Sequence, residues 1–510
     1  MTLSTDSKHT AHARWHSAQL GTIARGSGFA FVGLLGGAIL QYLYNVVLAH
    51  IYGAHYTGIF AFSLSIISIA AIVGQLGTKE ALLCYVSIYH SSHQYRLLKG
   101  IMLYGFGLGI IGSIFSSVIV FNMAEFIGLW AKKPEISGTL KILSVAIPLL
   151  ALINLIASSL QAVKRLDKSS VIREIGRPAA IMFALFLIIF RRESFHKFLF
   201  LYTIILGILV IIGFNLLRTE FGDLQEVKKA EFHILEWFRF SIPVLFLDIF
   251  RTTSGWLDVL ILGFLAISTD IGVYFAALRT AFLITLPLGA FNAIFSPIVA
   301  DLWRKRDLPN LEHSFMTTTR WTAIITLLLG GITIILRDDL MSIFGFEFVS
   351  GGAILLIILF GRMVNGLTGG VGRLLIMTGH PQVELFNTIL SSALLAIAML
   401  WLVPNYGILG AAVANSAVVT LMNILKLLEV WYIIGIQPYR KSYYKPFVAF
   451  IVSLVAGGIF CQITDGQPVA IKLLLIPIVV TTLYFTVLFI LKLEEDDKVL
   501  LQKLIRARAI

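Results

Sequence analysis

The chain has 510 residues, of which 58% are hydrophobic and 13% charged, with 40 Lys and Arg against 28 Asp and Glu. A mean hydropathy of +0.88 excludes an ordinary soluble domain, whose composition carries roughly twice that share of charge. The formal net charge of +12 would suit a nucleic-acid binder, but the basic residues lie between long apolar runs, which points to a membrane instead.

A spanning helix needs about 20 mostly apolar residues. Such runs lie near 27–50, 57–78, 100–122, 140–163, 172–190, 198–217, 239–265, 271–300, 320–336, 351–378, 386–403, 407–434, 446–463 and 471–491. That makes about fourteen transmembrane helices. The runs lack the alternation of outer-membrane barrel strands, so the expected fold class is an all-α polytopic membrane protein. The first residues are polar and the first apolar run is too long for a signal-peptide core, so no cleavable leader is expected. No loop is longer than about twenty residues, which leaves no room for an extramembrane catalytic domain and argues against an enzyme.

The expected organisation is two pseudo-symmetric six-helix lobes plus two C-terminal helices. In chain order these are a cytoplasmic N-terminal segment 1–25, an N-lobe 26–220 and a charge-mixed cytoplasmic linker 221–237. A C-lobe 238–436, helices thirteen and fourteen over 437–492, and a cytoplasmic tail 493–510 follow. An internal repeat supports the division. GIFAFSLS from Gly58 resembles GVYFAALR from Gly272 at a shift of 214 residues, and at the same shift the fourth segment lies over the tenth. Six helices separate the copies, so both halves have one orientation, a parallel repeat about the membrane normal. With the N-terminus inside, the inner loops carry most of the positive charge: Lys164, Arg165 and Lys168; Arg304, Lys305 and Arg306; Arg440, Lys441 and Lys445. The positive-inside rule then puts both termini in the cytoplasm. Arg191, Arg192 and Lys197 fall outside on this topology and run against it. Cys84 and Cys461 would lie near opposite membrane faces, so no disulfide is expected.

Charges inside the apolar runs are the candidate functional residues, because a charge at the bilayer centre costs about 2.5–3.5 kcal/mol or more without a cavity or a partner. The seventh segment carries Asp248, Arg251 and Asp258 at helical spacings of one face. Asp248 would neutralise Arg251, and Asp258 would lie level with Arg279 of the eighth segment, making the two aspartates gating or charge partners. The tenth segment carries Arg362 and Arg373, about three turns apart and so expected on one side. Between them NGLTGGVG, with Gly366, Gly369 and Gly370, would supply helix flexibility. Arg25 and Arg177 stand near the cytoplasmic ends of the first and fifth segments, where interfacial anchoring competes with a role in a cationic vestibule. The GxGxxG at Gly107, Gly109 and Gly112 lies inside an apolar helix without a preceding strand and reads as helix packing. Lys426 and Glu429 read as an i,i+3 pair. No metal site or cofactor is expected.

Two stretches carry a family resemblance: YNVVLAHIYGAHYTGIFAFSLSI in the first helical pair, and YGILGAAVANSAVVTLMNILKL in the twelfth segment, with its run Tyr406-Gly407-Ile408-Leu409-Gly410-Ala411-Ala412. With the helix count and lobes, the chain resembles the O-antigen-type polysaccharide flippases of the multidrug/oligosaccharidyl-lipid/polysaccharide exporter superfamily. The resemblance implies transfer of a polyprenyl-diphosphate-linked oligosaccharide from the inner to the outer leaflet of a bacterial cytoplasmic membrane by alternating access. Such transfer would serve O-antigen, capsule or exopolysaccharide synthesis. It also implies a central cationic cavity, and cationic roles for Arg25 and Arg279. Arg251, Arg362, Arg373 and Arg177 rest on their position in the sequence. The expected partners are the lipid-linked oligosaccharide, membrane lipids and polysaccharide polymerase machinery, and no nucleic acid. Alternatives are a cation-coupled multidrug exporter of the same fold, disfavoured by the lack of membrane-embedded carboxylates in the first half, and a peptidoglycan-precursor flippase, which would use the same diphosphate chemistry.

Overall fold

The structure, a computed structural model, describes residues 5–189, 194–492 and 494, with side chains from residue 32 onward apart from 223 and 225. Every regular element among the described residues is helical. Among the described residues, nine helices are long and apolar enough to cross a membrane, or ten if the pair Pro134–Ser144 and Ala146–Ala162, bent by 45°, is one broken span. The chain is a multi-pass membrane protein of the expected all-helical class.

Two helices are far longer than one crossing. Helix α1 (Thr5–Gly74) has 70 residues and breaks at Gly53, where φ is 74°. At about 1.5 Å per residue such a length exceeds a hydrocarbon core of roughly 30 Å more than twofold. The break therefore separates two expected segments, 27–50 and 57–78. The glycine supplies a left-handed φ that a side chain would resist. The new helical arm begins at Ala54, whose N–H donates to the Glu347 carboxylate at 3.0 Å. Thr57 Oγ1 donates to Gly53 O at 2.8 Å.

Contacts divide the chain into two units, 1–51 with 59–256, and 52–58 with 257–510. In the first, α2 (Tyr95–Trp130) turns its small residues inward. A Cβ on Gly112 would fall 2.4 Å from Gly74 O, and one on Gly109 2.6 Å from the Leu155 side chain. Two of the three glycines of the GxGxxG pattern are thus close-packing positions, while Gly107 has open space. On the other side of α2, Ile111, Phe115, Phe126, Leu129 and Trp130 are exposed, a surface suited to lipid rather than water. Phe60, Phe198 and Tyr202 are fully buried and pack ring on ring. The stretch 221–237 is held against this unit: the Glu231 N–H donates to Arg96 O at 3.1 Å, Lys99 Nζ to Val227 O at 2.7 Å, and the buried Trp237 Nε1 to Tyr89 Oη at 3.1 Å.

The second unit contains α3 (Ile234–Leu265) from Leu257 onward, α4 (Ser268–Phe282), α5 (Leu286–Arg304), α6 (Leu308–Ile335), α7 (Gly352–Thr368), α8 (Val371–Met377), α9 (Pro381–Ile434), α10 (Tyr444–Ile463) and α11 (Val469–Ile490). Helix α9 has 54 residues and breaks at Gly407, with φ 58°, again dividing two expected segments. Its arms fold back on each other: Lys426 pairs with Glu384 at 2.6 Å, and Asn387 Nδ2 donates to Glu429 at 2.5 Å. This corrects the expected i,i+3 pair of Lys426 and Glu429, since the facing arm offers each a partner 42 residues away. One apolar core joins Leu327 and Leu328 of α6, Ala449 of α10, and Ile476, Tyr484 and Leu488 of α11. Where α1 crosses α4 in this unit, the repeat-related glycines meet. A Cβ on Gly58 would fall 1.8 Å from Ser268 O, and one on Gly272 2.0 Å from Ala54 O.

Candidate functional site

Asp258 lies near the end of α3 and is 5% exposed. A buried carboxylate is tolerated only where donors satisfy its oxygens, and three do so here. The Val259 N–H reaches Oδ1 at 2.8 Å; the Tyr274 hydroxyl and the Asn415 amide reach Oδ2 at 3.1 and 3.2 Å. Three helices contribute. The sharp turn at Ile267, extended at ψ 156°, starts α4 and folds it back on α3, bringing Tyr274 to a residue 16 positions earlier. Asn415 comes from the second arm of α9.

Two arginines share this neighbourhood. Arg362 of α7 and Arg279 of α4 are both close enough to act electrostatically on Asp258. The Arg279 guanidinium carbon stands 4.6 Å from the centroid of the Phe275 ring, a favourable cation–π arrangement. Arg362 Nε is buried without a hydrogen-bond partner among the described residues. The expected pairing of Asp258 with Arg279 thus takes another form. Tyr274 and Asn415 bond the carboxylate, Arg279 lies over an aromatic face, and both guanidinium groups remain in the field of one acid. Such a cluster suits an anion, because guanidinium matches phosphate geometry with paired N–H donors.

The other candidates lie elsewhere. Asp248 pairs with Lys79 Nζ at 3.0 Å, and Lys79 also meets Glu80 at 2.8 Å. The neutralisation of Arg251 by Asp248 is therefore replaced. Lys79, from the turn after α1, takes the acid, and Arg251 stays exposed with no ion pair among the described residues. Arg177 is half-buried at the start of the helix Arg177–Ile189, just after a π-helical turn over Val171–Gly176, and acts electrostatically on the buried Tyr202. The side chain of Arg25 lies outside the described residues.

Arg362 and Arg373 do not share one continuous helix. Helix α7 ends at Thr368, Gly369 takes φ 71° and ψ −154°, and Arg373 is exposed on the separate α8. The face argument from eleven-residue spacing fails because the helix it assumes is broken. The three glycines differ in role. Gly369 needs its positive φ, Gly366 packs inside α7 with a hypothetical Cβ 2.4 Å from Thr326 Oγ1, and Gly370 precedes α8 with one 2.3 Å from Asn292 Oδ1.

Tyr274 and Asn415 were not among the sequence candidates. Both lie in stretches noted for other reasons, GVYFAALR and YGILGAAVANSAVV. The signal that marks them is a lone polar side chain in an apolar run, the same criterion that marked the charges.

A family described as "Polysaccharide biosynthesis protein" matches residues 23–303. The chain is 24% identical over 399 residues to the "Probable low-salt glycan biosynthesis flippase Agl15" of Haloferax volcanii, covering 77% of this chain and 80% of that protein. It is 23% identical over 287 residues to the "Probable flippase AglR" of the same organism, covering 52% and 56%. In structure it resembles the lipid II flippase MurJ in an inward closed conformation, with a TM-score of 0.69 at 15% identity over 89% of this chain and 97% of that one. It also resembles an inward-facing multidrug resistance MATE family transporter of the MOP superfamily, with a TM-score of 0.63 at 12% identity over 81% and 94%. The structural likenesses establish the fold.

Proposed function

Since the chain belongs to the polysaccharide biosynthesis protein family, we propose that it is a flippase rather than an enzyme. It carries a polyprenyl-diphosphate-linked oligosaccharide from the inner to the outer leaflet of a bacterial cytoplasmic membrane by alternating access, for O-antigen, capsule or exopolysaccharide synthesis. Both termini lie in the cytoplasm. Relatives named as flippases support transport of a lipid-linked glycan. The observation that carries the reading is the grouping of Arg279 and Arg362 about Asp258, the one buried carboxylate among the described residues.

A diphosphate stripped of water loses many kcal/mol of solvation. Guanidinium groups replace water with charge-assisted hydrogen bonds, while the polyprenyl chain stays in the bilayer. Asp258 opposes the arginines in the empty state and limits how tightly they hold the phosphates, which favours release. Arg25, Arg177, Arg251 and Arg373 are assigned to the path of the head group rather than to its tightest site, and Asp248 to holding Lys79. Polymerase machinery would be the downstream partner.

The test is export of surface polysaccharide in a strain lacking its own flippase. The native chain restores export. Arg279→Ala with Arg362→Ala, expressed equally, reduces it at least tenfold, since charge-assisted bonds contribute about 1.5–3 kcal/mol each. Unchanged export by the double variant would remove the arginines from the mechanism. Efflux of ethidium with no glycan export would favour the multidrug reading instead.

A further inference from the structure

Arg362 stands at one end of a longer polar lane. Helix α7 and the second arm of α9 run side by side. A Cβ on Gly361 would fall 2.9 Å from Ser416 Cα, and Thr368 Oγ1 donates to Asn423 Oδ1 at 3.2 Å. Both contacts join residues 55 positions apart. The two helices therefore keep one register from the level of Arg362 and Asn415 to the end of α7. The six residues from Arg362 to Thr368 span about 9 Å at roughly 1.5 Å per residue.

The lane is polar but carries no charge. Asn365 and Thr368 lie between Arg362 and Arg373, and no ionisable side chain does. Helix α9 has none from Asn415 until Lys426, and α5 has none before Asp301.

An amide at membrane depth ordinarily bonds a neighbouring helix. Asn415 does so through Asp258, and Asn423 accepts from Thr368 while donating to Val419 O at 2.8 Å. Asn365 differs. It is half-buried, three residues after Arg362 and so beside it on the helix surface, and makes no side-chain hydrogen bond among the described residues. At the break after α7, Asn292 Oδ1 lies 2.3 Å from where a Cβ on Gly370 would stand, buried without a hydrogen-bond partner among the described residues. The fully buried Thr319 Oγ1 is likewise unpartnered, 2.3 Å from the Cβ position of Gly369. Polar groups left unpaired in an apolar surround are costly unless a ligand or water meets them.

We propose that Asn365 and Asn292 hydrogen-bond the hydroxyls of the sugar next to the diphosphate and so help set which glycan is carried. This rests on the flippase reading, in which Arg279 and Arg362 hold the diphosphate. A primary amide offers two donors and an acceptor, which suits hydroxyls that both give and take hydrogen bonds. A lane without cations holds no second phosphate. Such a site rejects an analogue lacking the matching hydroxyl, because its own polar group is then left unpaired.

The full-length protein in detergent would be titrated with undecaprenyl diphosphate, bare or carrying one glucose, galactose or N-acetylglucosamine. Bound lipid is counted by native mass spectrometry. At least one sugar-bearing lipid binds more tightly than the bare diphosphate. Asn365→Ala and Asn292→Ala each weaken that lipid about fivefold, as the loss of one neutral hydrogen bond would. Both leave the bare lipid unchanged, which also reports an intact fold, whereas Arg362→Ala weakens both lipids. Equal affinity of the native protein for bare and sugar-bearing lipids removes the sugar contacts and leaves the diphosphate reading standing. So does native-like binding by both Asn variants, or a loss that the bare lipid shares equally. No binding of any diphosphate lipid above that of phosphatidylcholine overturns both.

Discussion

Asp258 shows how much one buried side chain organises. Its carboxylate joins α3, α4 and α9 through the Val259 N–H, Tyr274 and Asn415. Asp258→Ala leaves Tyr274 and Asn415 without their acceptor, at about 1–3 kcal/mol for each buried group that finds no other. Asp258→Asn keeps one acceptor oxygen. The unfolding midpoint in detergent should therefore fall most for Ala and less for Asn; an Ala variant as stable as the native protein would mean that other groups satisfy the two donors. The charges of this cluster were legible because an ionisable residue stands out in an apolar run. Their partners were not. Helical spacing compares residues on one helix, whereas Asp258, Asp248 and Lys426 each find a side-chain partner on another helix or arm.

At the scale of the element, breaks matter more than lengths. Hydropathy located the segments on both sides of Gly53 and Gly407 but not the continuity of helix up to each break. It read 351–378 as one helix, although Gly369 divides it. A left-handed φ leaves little trace in a hydropathy profile, and glycine alone does not reveal it, since Gly366 is plainly helical. Gly369→Ala faces two penalties: a backbone region nearly closed to other residues, costing about 1–3 kcal/mol, and a Cβ 2.3 Å from Thr319 Oγ1. Thermal unfolding should show a lower midpoint for Gly369→Ala. Adding Thr319→Ala should recover only part of the loss; full recovery would place the whole cost in the side-chain clash.

For the whole molecule, the placement of charge predicts an orientation. In the second unit, Arg320, Arg440, Lys445 and Glu494 gather at one end, while Lys472 lies 3.2 Å from Asp465 and 4.0 Å from Asp339 at another group of loops. The positive-inside rule predicts that the first group faces the cytoplasm. In a Cys84→Ser, Cys461→Ser background, a cysteine replacing Ser350 should react with an impermeant maleimide in intact cells. One replacing Lys441 should react only after permeabilisation. The reverse pattern would invert the topology. Hydropathy sufficed for the helical class because the bilayer imposes it on every span. The division at 256 and 257, inside one continuous helix, lay beyond it because a packing boundary need not coincide with a loop.

The hydrogen bond from Ala54 to Glu347 has a consequence for biosynthesis. The two residues are 293 positions apart. At roughly 5–20 residues per second, a ribosome needs about 15–60 s to supply the acceptor after the donor has left. During that interval the first amide of the second helical arm has no carboxylate to accept from it, and hydrocarbon offers none. The start of the first hairpin must therefore wait at the wet boundary of the bilayer. Its completion waits until the first third of the second unit's main stretch, 257–510, has been made, and a nascent chain arrested before Glu347 would leave the two earliest spans unfinished.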